Sequence, residues 1–261
     1  MSPNQLFLHR IMVLGKVRRG QLRSVTDLLL SNPSLLVIAR VMLLYYSTTS
    51  PFVRKVLLAA KELGIGEQIK LEKVVTNALD PIKTQHCQIN PSAKIPTLIS
   101  DSGKAYFGSQ TIVQYLDHVA GGNKIISQAD FEARADALTL EAIADGVTDA
   151  AILIWYEHLR PDPQQWSAWT TGQTQKIHLG LKCLAKRLPS TQQRQDTIHG
   201  TLLPDPAIPG PFPLGGIAAA STLWYLDTRL KDMINWRELE EVQGLEDWYR
   251  VVQERPSWKE L

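Results

Sequence analysis

Asn90-Pro91-Ser92-Ala93-Lys94-Ile95-Pro96-Thr97-Leu98 (NPSAKIPTL) sets a proline directly ahead of a short run that reads as a strand. A peptide bond before proline can take the cis form, which reverses the chain and turns the preceding residue's backbone outward. A cis bond is expected between Ile95 and Pro96. Ile95 would then offer its N–H and C=O to an extended peptide, as one strand does to another. Lys94 beside it would supply a cation for a carboxylate. The same residues also fit a plain loop-to-strand turn with a solvated lysine, and the stretch alone leaves both readings open.

From this turn the chain reads outward in both directions. Downstream, residues 97–100 form a strand, Asp101-Ser102-Gly103-Lys104 a turn, and residues 105–107 a returning strand. Ser109 precedes a helical pattern of Ile112, Val113, Tyr115, Leu116 and Val119 that Gly121 and Gly122 stop. Upstream, residues 41–46 (VMLLYY) read as a buried strand. Ser50 suits a helix N-cap and Pro51 the first helical position. Val53, Val56, Leu57, Ala60 and Leu63 then recur at helical spacing until Gly64. Residues 69–75 partly alternate as a second strand, and residues 76–90 read as a loop with a short helix. The order is βαβ, a connection, then ββα, over residues 41–122.

After Gly122 the pattern changes. Residues 129–160, 164–188, 214–231 and about 244–253 read as helices, so an all-helical domain is expected over residues 129–261. Six prolines between Pro189 and Pro213 suggest an irregular surface insertion.

Composition bounds the function classes. With 261 residues, 44% hydrophobic and 21% charged, the chain has the balance of a soluble globular protein. No apolar run approaches the roughly 20 residues that span a bilayer, and a net charge of +2 asks for neither nucleic acid nor an anionic membrane. The charge is uneven: Arg10, Lys16, Arg18, Arg19, Arg23 and Arg40 face only Asp27 within residues 1–42. Residues 1–40 are thus a basic extension, expected to be dispensable for the fold. Its composition matches a mitochondrial transit peptide as the alternative to a cytoplasmic location. Cys87 and Cys183 suggest no disulfide framework and a reducing compartment, and with scattered histidines no metal site is expected.

Two further segments carry chemistry. Thr48-Thr49-Ser50-Pro51-Phe52 places hydroxyls at a strand-to-helix junction, where free amides and the helix dipole favour an anion and would stabilise a thiolate. Phe107-Gly108-Ser109-Gln110 repeats that device at the next helix start. Each serine is equally well explained as a cap. Two helix starts and one outward turn, within about 60 residues, suit a small peptide with carboxylates at both ends.

These segments together resemble the glutathione transferase superfamily, over residues 43 to about 255. NPSAKIPTL is similar to the family signature Asn-Pro-x-Gly-x-Val-Pro-x-Leu. SPFVRK, EAIADGVTDAA and LDTRL resemble a bacterial and fungal branch with a serine-type active site. The resemblance implies an α/β thioredoxin-like N-terminal domain followed by an all-α domain, with glutathione as co-substrate and no permanently bound cofactor. It implies that Ser50, with Phe52 beside it, lies at the glutathione sulfur and that Ile95, ahead of Pro96, pairs with the cysteinyl backbone. It further places Lys94 near the glycyl carboxylate, and Gly108, Ser109 and Gln110 at the γ-glutamyl end. Asp149, Tyr156 and Arg160 are candidates for a pocket holding a hydrophobic electrophile. A homodimer and a role in detoxification are implied with it.

The chain departs from the family pattern at Gly108, where an acid is common, and at Ala93, where glycine is usual. Pro213 and Gly216 stand where a capping hydroxyl and an aspartate are common. Neither cysteine falls at Ser50, which disfavours thiol exchange. The leading expectation is conjugation of glutathione to a small electrophile. The alternatives are a non-catalytic glutathione-fold binding or regulatory protein and a glutathione-dependent isomerase or dehalogenase. Whether Thr48, Thr49 or Ser50 meets the sulfur stays open.

Overall fold

The apolar run ahead of Ser50 forms an inner strand of a sheet in the computed structural model, which describes residues 41–76, 79–188 and 203–261. The basic extension, residues 1–40, and most of the proline-bearing insertion, residues 189–202, lie outside the described residues. Strand β1 (Met42–Tyr46) turns Met42 and Leu44 into the core. Helix α1 (Pro51–Glu62) begins as its sequence requires: Ser50 Oγ accepts from the Val53 N–H at 3.3 Å, and Pro51 occupies the first turn. Strand β2 (Ile69–Lys73) ends two residues before the expected limit. The short helix expected within residues 76–90 is a pair of 3₁₀ turns, Pro81–Lys83 and Gln85–Gln88.

Strands β3 (Thr97–Ile99) and β4 (Ala105–Phe107) form the hairpin, and helix α2 (Ser109–Val119) follows. The sheet order is β2-β1-β3-β4, with β1 parallel to β2 and antiparallel to β3. Tyr45, Thr97 and Phe107 lie side by side in one row across three strands. The β1–α1 loop, the turn before β3 and the start of α2 therefore all emerge at the same end of the sheet.

Ser109 does not cap α2, contrary to expectation. Gly108 is the N-cap, at φ 83°, and Ser109 is the first helical residue. The left-handed backbone at Gly108 is one that glycine adopts without a Cβ penalty.

The second half is helical: α3 (Phe131–His158), α4 (Ser167–Ala185), α5 (Leu214–Arg229), α6 (Leu245–Gln253) and α7 (Pro256–Lys259). No described helix is long and apolar enough to cross a membrane. Helix α5 is buried along most of its length between α3 and α1. Thr222 fixes its height, donating to the Ala144 carbonyl at 3.0 Å and lying 2.8 Å from the Thr148 hydroxyl. At its start Pro213 provides no side-chain cap, and a Cβ on Gly216 would strike the Phe212 ring and Pro204. Close packing thus stands where the family pattern has a polar cap.

Residues 42–261 form one compact unit with a continuous apolar core. A buried ion pair ties α1 to the C-terminal helices. Arg255 holds Glu62 through Nε at 2.8 Å and Nη2 at 2.9 Å, while Ser257 Oγ and the Phe212 N–H, at 2.8 Å, also donate to that carboxylate. Burial pushes the Glu62 carboxyl up, but the bonds from Arg255, Ser257 and Phe212 outweigh it and hold it below the usual range. Such a group contributes stability that is complete above the unfolded carboxylate range and is lost as pH falls through its folded value. Replacing Arg255 by methionine leaves a buried charge alone and should cost about 3 kcal/mol near neutral pH in urea unfolding. The deficit should shrink on acidification, because the stranded carboxyl can then be protonated; a deficit independent of pH would contradict the account.

Candidate active site

The Ile95–Pro96 peptide bond is cis, and Ala93 sits at φ 51° two residues before it. Pro96 is buried, Ile95 half-buried and Lys94 exposed. Among the described residues, neither the N–H nor the C=O of Ile95 takes part in a hydrogen bond. The expected cis bond is thus present, and the backbone edge of Ile95 is unspent inside the chain. Ala93 carries the left-handed conformation that the family pattern assigns to glycine, at a cost of roughly 1 kcal/mol.

Ser50 is half-buried at the N-terminus of α1, with the exposed hydroxyls of Thr48 and Thr49 ahead of it. Thr49 Oγ1 lies 3.1 Å from Ser47 Oγ, whereas Ser50 Oγ serves the helix. Phe52, half-buried, lies under the Lys55 ammonium at 5.5 Å. Ser109 is buried at the start of α2, and Gln110 beside it is exposed.

Behind these helix starts lies a charge cluster in which Lys55 and Glu141 join Asp145, an acid one helical turn before Asp149. Lys55 Nζ donates to Glu141 Oε1 at 2.8 Å and to both Asp145 oxygens at 2.8 and 2.7 Å, with only 1% of the Lys55 side chain exposed. Burial pushes the Glu141 carboxyl up, and Lys55 pulls it part of the way back. Asp149, one turn beyond Asp145 on α3, is also raised, first by burial and then by Asp145, while Lys94 and Lys55 draw it down. Asp149 is thereby within electrostatic reach of Lys94 in the NPSAKIPTL turn. The only sequence-level signal for Lys55 was its place on the apolar-patterned α1.

The three expected pocket residues are not brought together equally. Asp149 faces Lys94. Tyr156 is exposed but close enough to Tyr225 to raise its phenol after burial has done so. Arg160 lies past the end of α3, exposed, with Nε 3.6 Å from Glu157. A cavity of about 390 Å³ adjoins Ser50, and none of these three residues lines it. Tyr46, Thr48, Arg54, Leu57, Leu71 and Glu260 do. Arg54 is clamped there between Trp224, at 4.6 Å, and Trp258, at 4.2 Å.

Two stability measurements follow. Lys55→Met strands Glu141 and Asp145 and should destabilise by about 3 kcal/mol in alkaline buffer. A raised carboxyl contributes stability present below its unfolded pKa and lost as pH rises through its folded value. The loss in this variant should therefore grow from acid to alkaline buffer, in the same direction as in the Arg255 variant, since in both a buried carboxylate is left without its cation. Ala93→Gly relieves the left-handed residue and should gain about 0.5–1 kcal/mol in the same assay; a loss would show that the Ala93 methyl packs usefully.

Comparison with known proteins agrees with this geometry. Residues 44–124 match the model of the glutathione S-transferase N-terminal domain. The uncharacterised GST-like protein YibF of Escherichia coli is 29% identical over 183 residues, 70% of this chain and 81% of YibF. A glutathione transferase family member from Pseudomonas fluorescens, solved with bound glutathione, is 32% identical; the match covers 84% of this chain and 97% of that one, with a TM-score of 0.70. A glutathione S-transferase from Methylobacillus flagellatus with glutathione bound is also 32% identical, covering 84% and 98% with a TM-score of 0.66. A thioredoxin-like sheet with a cis-proline turn, a helical second half and likeness along nearly the full length of such proteins make this chain a member of the glutathione transferase family.

Proposed function

We propose that the chain conjugates the thiol of glutathione to a small hydrophobic electrophile. The observation that carries this reading is the unused backbone edge at Ile95, set at the same end of the sheet as Ser50 and Ser109. Glutathione is an extended peptide with a carboxylate at each end. Ile95 pairs with its cysteinyl backbone, Lys94 faces the glycyl carboxylate, and Ser109 with its amide takes the γ-glutamyl carboxylate. Gly108 brings no acid to the γ-glutamyl ammonium; Gln110 and the carboxylate of Asp145 are the groups on hand to replace it.

The thiol then lies at the N-terminus of α1, where the Ser50 hydroxyl and the helix dipole favour the thiolate over the thiol. Chemistry needs little else from the protein: a held thiolate and an electrophile presented beside it. Asp149 and Tyr156 border the electrophile on the α3 side. We place the enzyme in the reducing cytoplasm as a homodimer, the assembly that the family resemblance implies. The bound glutathione in the Pseudomonas fluorescens and Methylobacillus flagellatus structures supports the choice of co-substrate.

Titrating the bound thiol by its ultraviolet thiolate absorbance tests the assignment. Ser50→Ala should raise the bound pKa toward the free value of about 8.5 and slow conjugation. It should also cost about 1 kcal/mol of stability as the α1 cap is lost, whereas Ser50→Thr should keep cap and activity. An unchanged titration and rate in Ser50→Ala would remove Ser50 from the sulfur. Gly108 favours a second reading, a binder without catalysis. Tight glutathione binding with an unshifted thiol and no turnover would decide for it.

A further inference from the structure

The carbonyl oxygen of Lys94 is the meeting point of three side chains. His86 Nε2 lies 3.2 Å away, Asn90 Nδ2 donates at 2.9 Å and Thr97 Oγ1 at 3.0 Å. All three residues are buried, at 1%, 1% and 0% exposure. Asn90 Nδ2 also donates to Thr97 Oγ1 at 3.0 Å, which commits the threonine proton to Lys94. Asn90 Oδ1 takes the N–H and hydroxyl of Ser92, at 3.0 and 2.6 Å. The turn from Asn90 to Thr97 is thus closed on itself, and His86 is the donor that reaches it from outside.

The histidine's state follows from its partners. A carbonyl accepts, so Nε2 must carry the proton. Nδ1 is buried and has no hydrogen-bond partner among the described residues, so the ring's one contact to the turn is through Nε2. The ring is held flat against Tyr45, with ring centres 5.9 Å apart and planes 18° apart. Tyr45 is the strand partner of Thr97, so β1 sets where the imidazole stands.

We infer that His86 is a positioning residue for glutathione, acting without touching it. The Lys94 carbonyl and the Ile95 N–H belong to one planar trans peptide, in which the two point in opposite directions. Donors that pull the carbonyl inward hold the N–H outward, toward the ligand. His86 is the one of these donors outside the NPSAKIPTL stretch, and it ties the direction of the binding edge to the sheet through Tyr45. The inference rests on the proposed docking of glutathione at Ile95.

The test uses the full chain. On the wild type, ¹⁵N spectra of the imidazole should show a proton on Nε2; an unprotonated Nε2 would overturn the proposal. His86→Phe keeps an aromatic ring against Tyr45 and removes the donor. The amide order parameter of Ile95, read without ligand, should fall from the rigid value of about 0.85. Glutathione Kd by calorimetry and KM for glutathione should both rise about three- to tenfold, the equivalent of one ordinary hydrogen bond, with kcat at saturation unchanged. His86→Gln, whose amide can donate, should recover part of the loss and guards against a variant that does not fold. An unchanged Ile95 order parameter, or a loss confined to kcat, would refute the role. If the wild type fails to bind glutathione, the functional reading falls, while the order parameter still decides whether His86 holds the turn.

Discussion

A lysine ammonium withdrawn from water joins the two halves of this chain. Lys55 projects from α1 of the thioredoxin-like half into carboxylates on α3 of the helical half, with 1% of its side chain exposed. A charge so buried is costly unless it is paired and hydrogen-bonded, and Lys55 uses its donors on Glu141 and Asp145. The geometry that satisfies the ammonium also sets how α3 stands against the start of α1. Every group of the candidate site lies on one side or the other of that contact. The Glu62–Arg255 pair does the same at the far end of α1, so the helix is anchored by opposite charges at both ends.

With the halves held, the site divides into parts of different rigidity. The sheet end presents the β1–α1 loop, the NPSAKIPTL turn and the start of α2 in adjacent positions, because Tyr45, Thr97 and Phe107 share a row. Of the three, the turn is the most heavily bonded, through Asn90, Thr97 and His86 on a single carbonyl. The β1–α1 loop has exposed threonines and a serine committed to capping. A peptide bound along this end would be gripped by fixed backbone at its middle and by helix starts at the sulfur and the γ-glutamyl end. Glu141, Asp145 and Asp149 follow one another along α3, the first two held by Lys55.

The places where sequence reasoning and structure part company share a cause. A serine before a helical pattern is usually its cap, but at Ser109 the left-handed turn at Gly108 moves the cap back by one residue. His86 and Arg54 drew no notice, since a lone histidine in a loop and an arginine on a helix are ordinary. Their significance lies in Tyr45 and the Lys94 carbonyl for one, and in Trp224 and Trp258 for the other.

The amino-acid sequence by itself determined the local elements. The Ser50–Pro51 helix start, the strand of VMLLYY, the hairpin at Asp101–Lys104 and the proline turn at Ile95–Pro96 each rest on residues within a few positions of one another, where side-chain and backbone preferences act directly. The switch to helices after Gly122 was legible for the same reason. Only the tertiary structure decided the charge partners. Lys55 meets Glu141 and Asp145 across 86 and 90 residues, and Arg255 meets Glu62 across 193. No periodicity records such pairs. A buried lysine on an apolar helix looks like a misplaced surface residue until folding brings its carboxylates within 3 Å, and it is their desolvated attraction, absent in the extended chain, that gives the position its meaning.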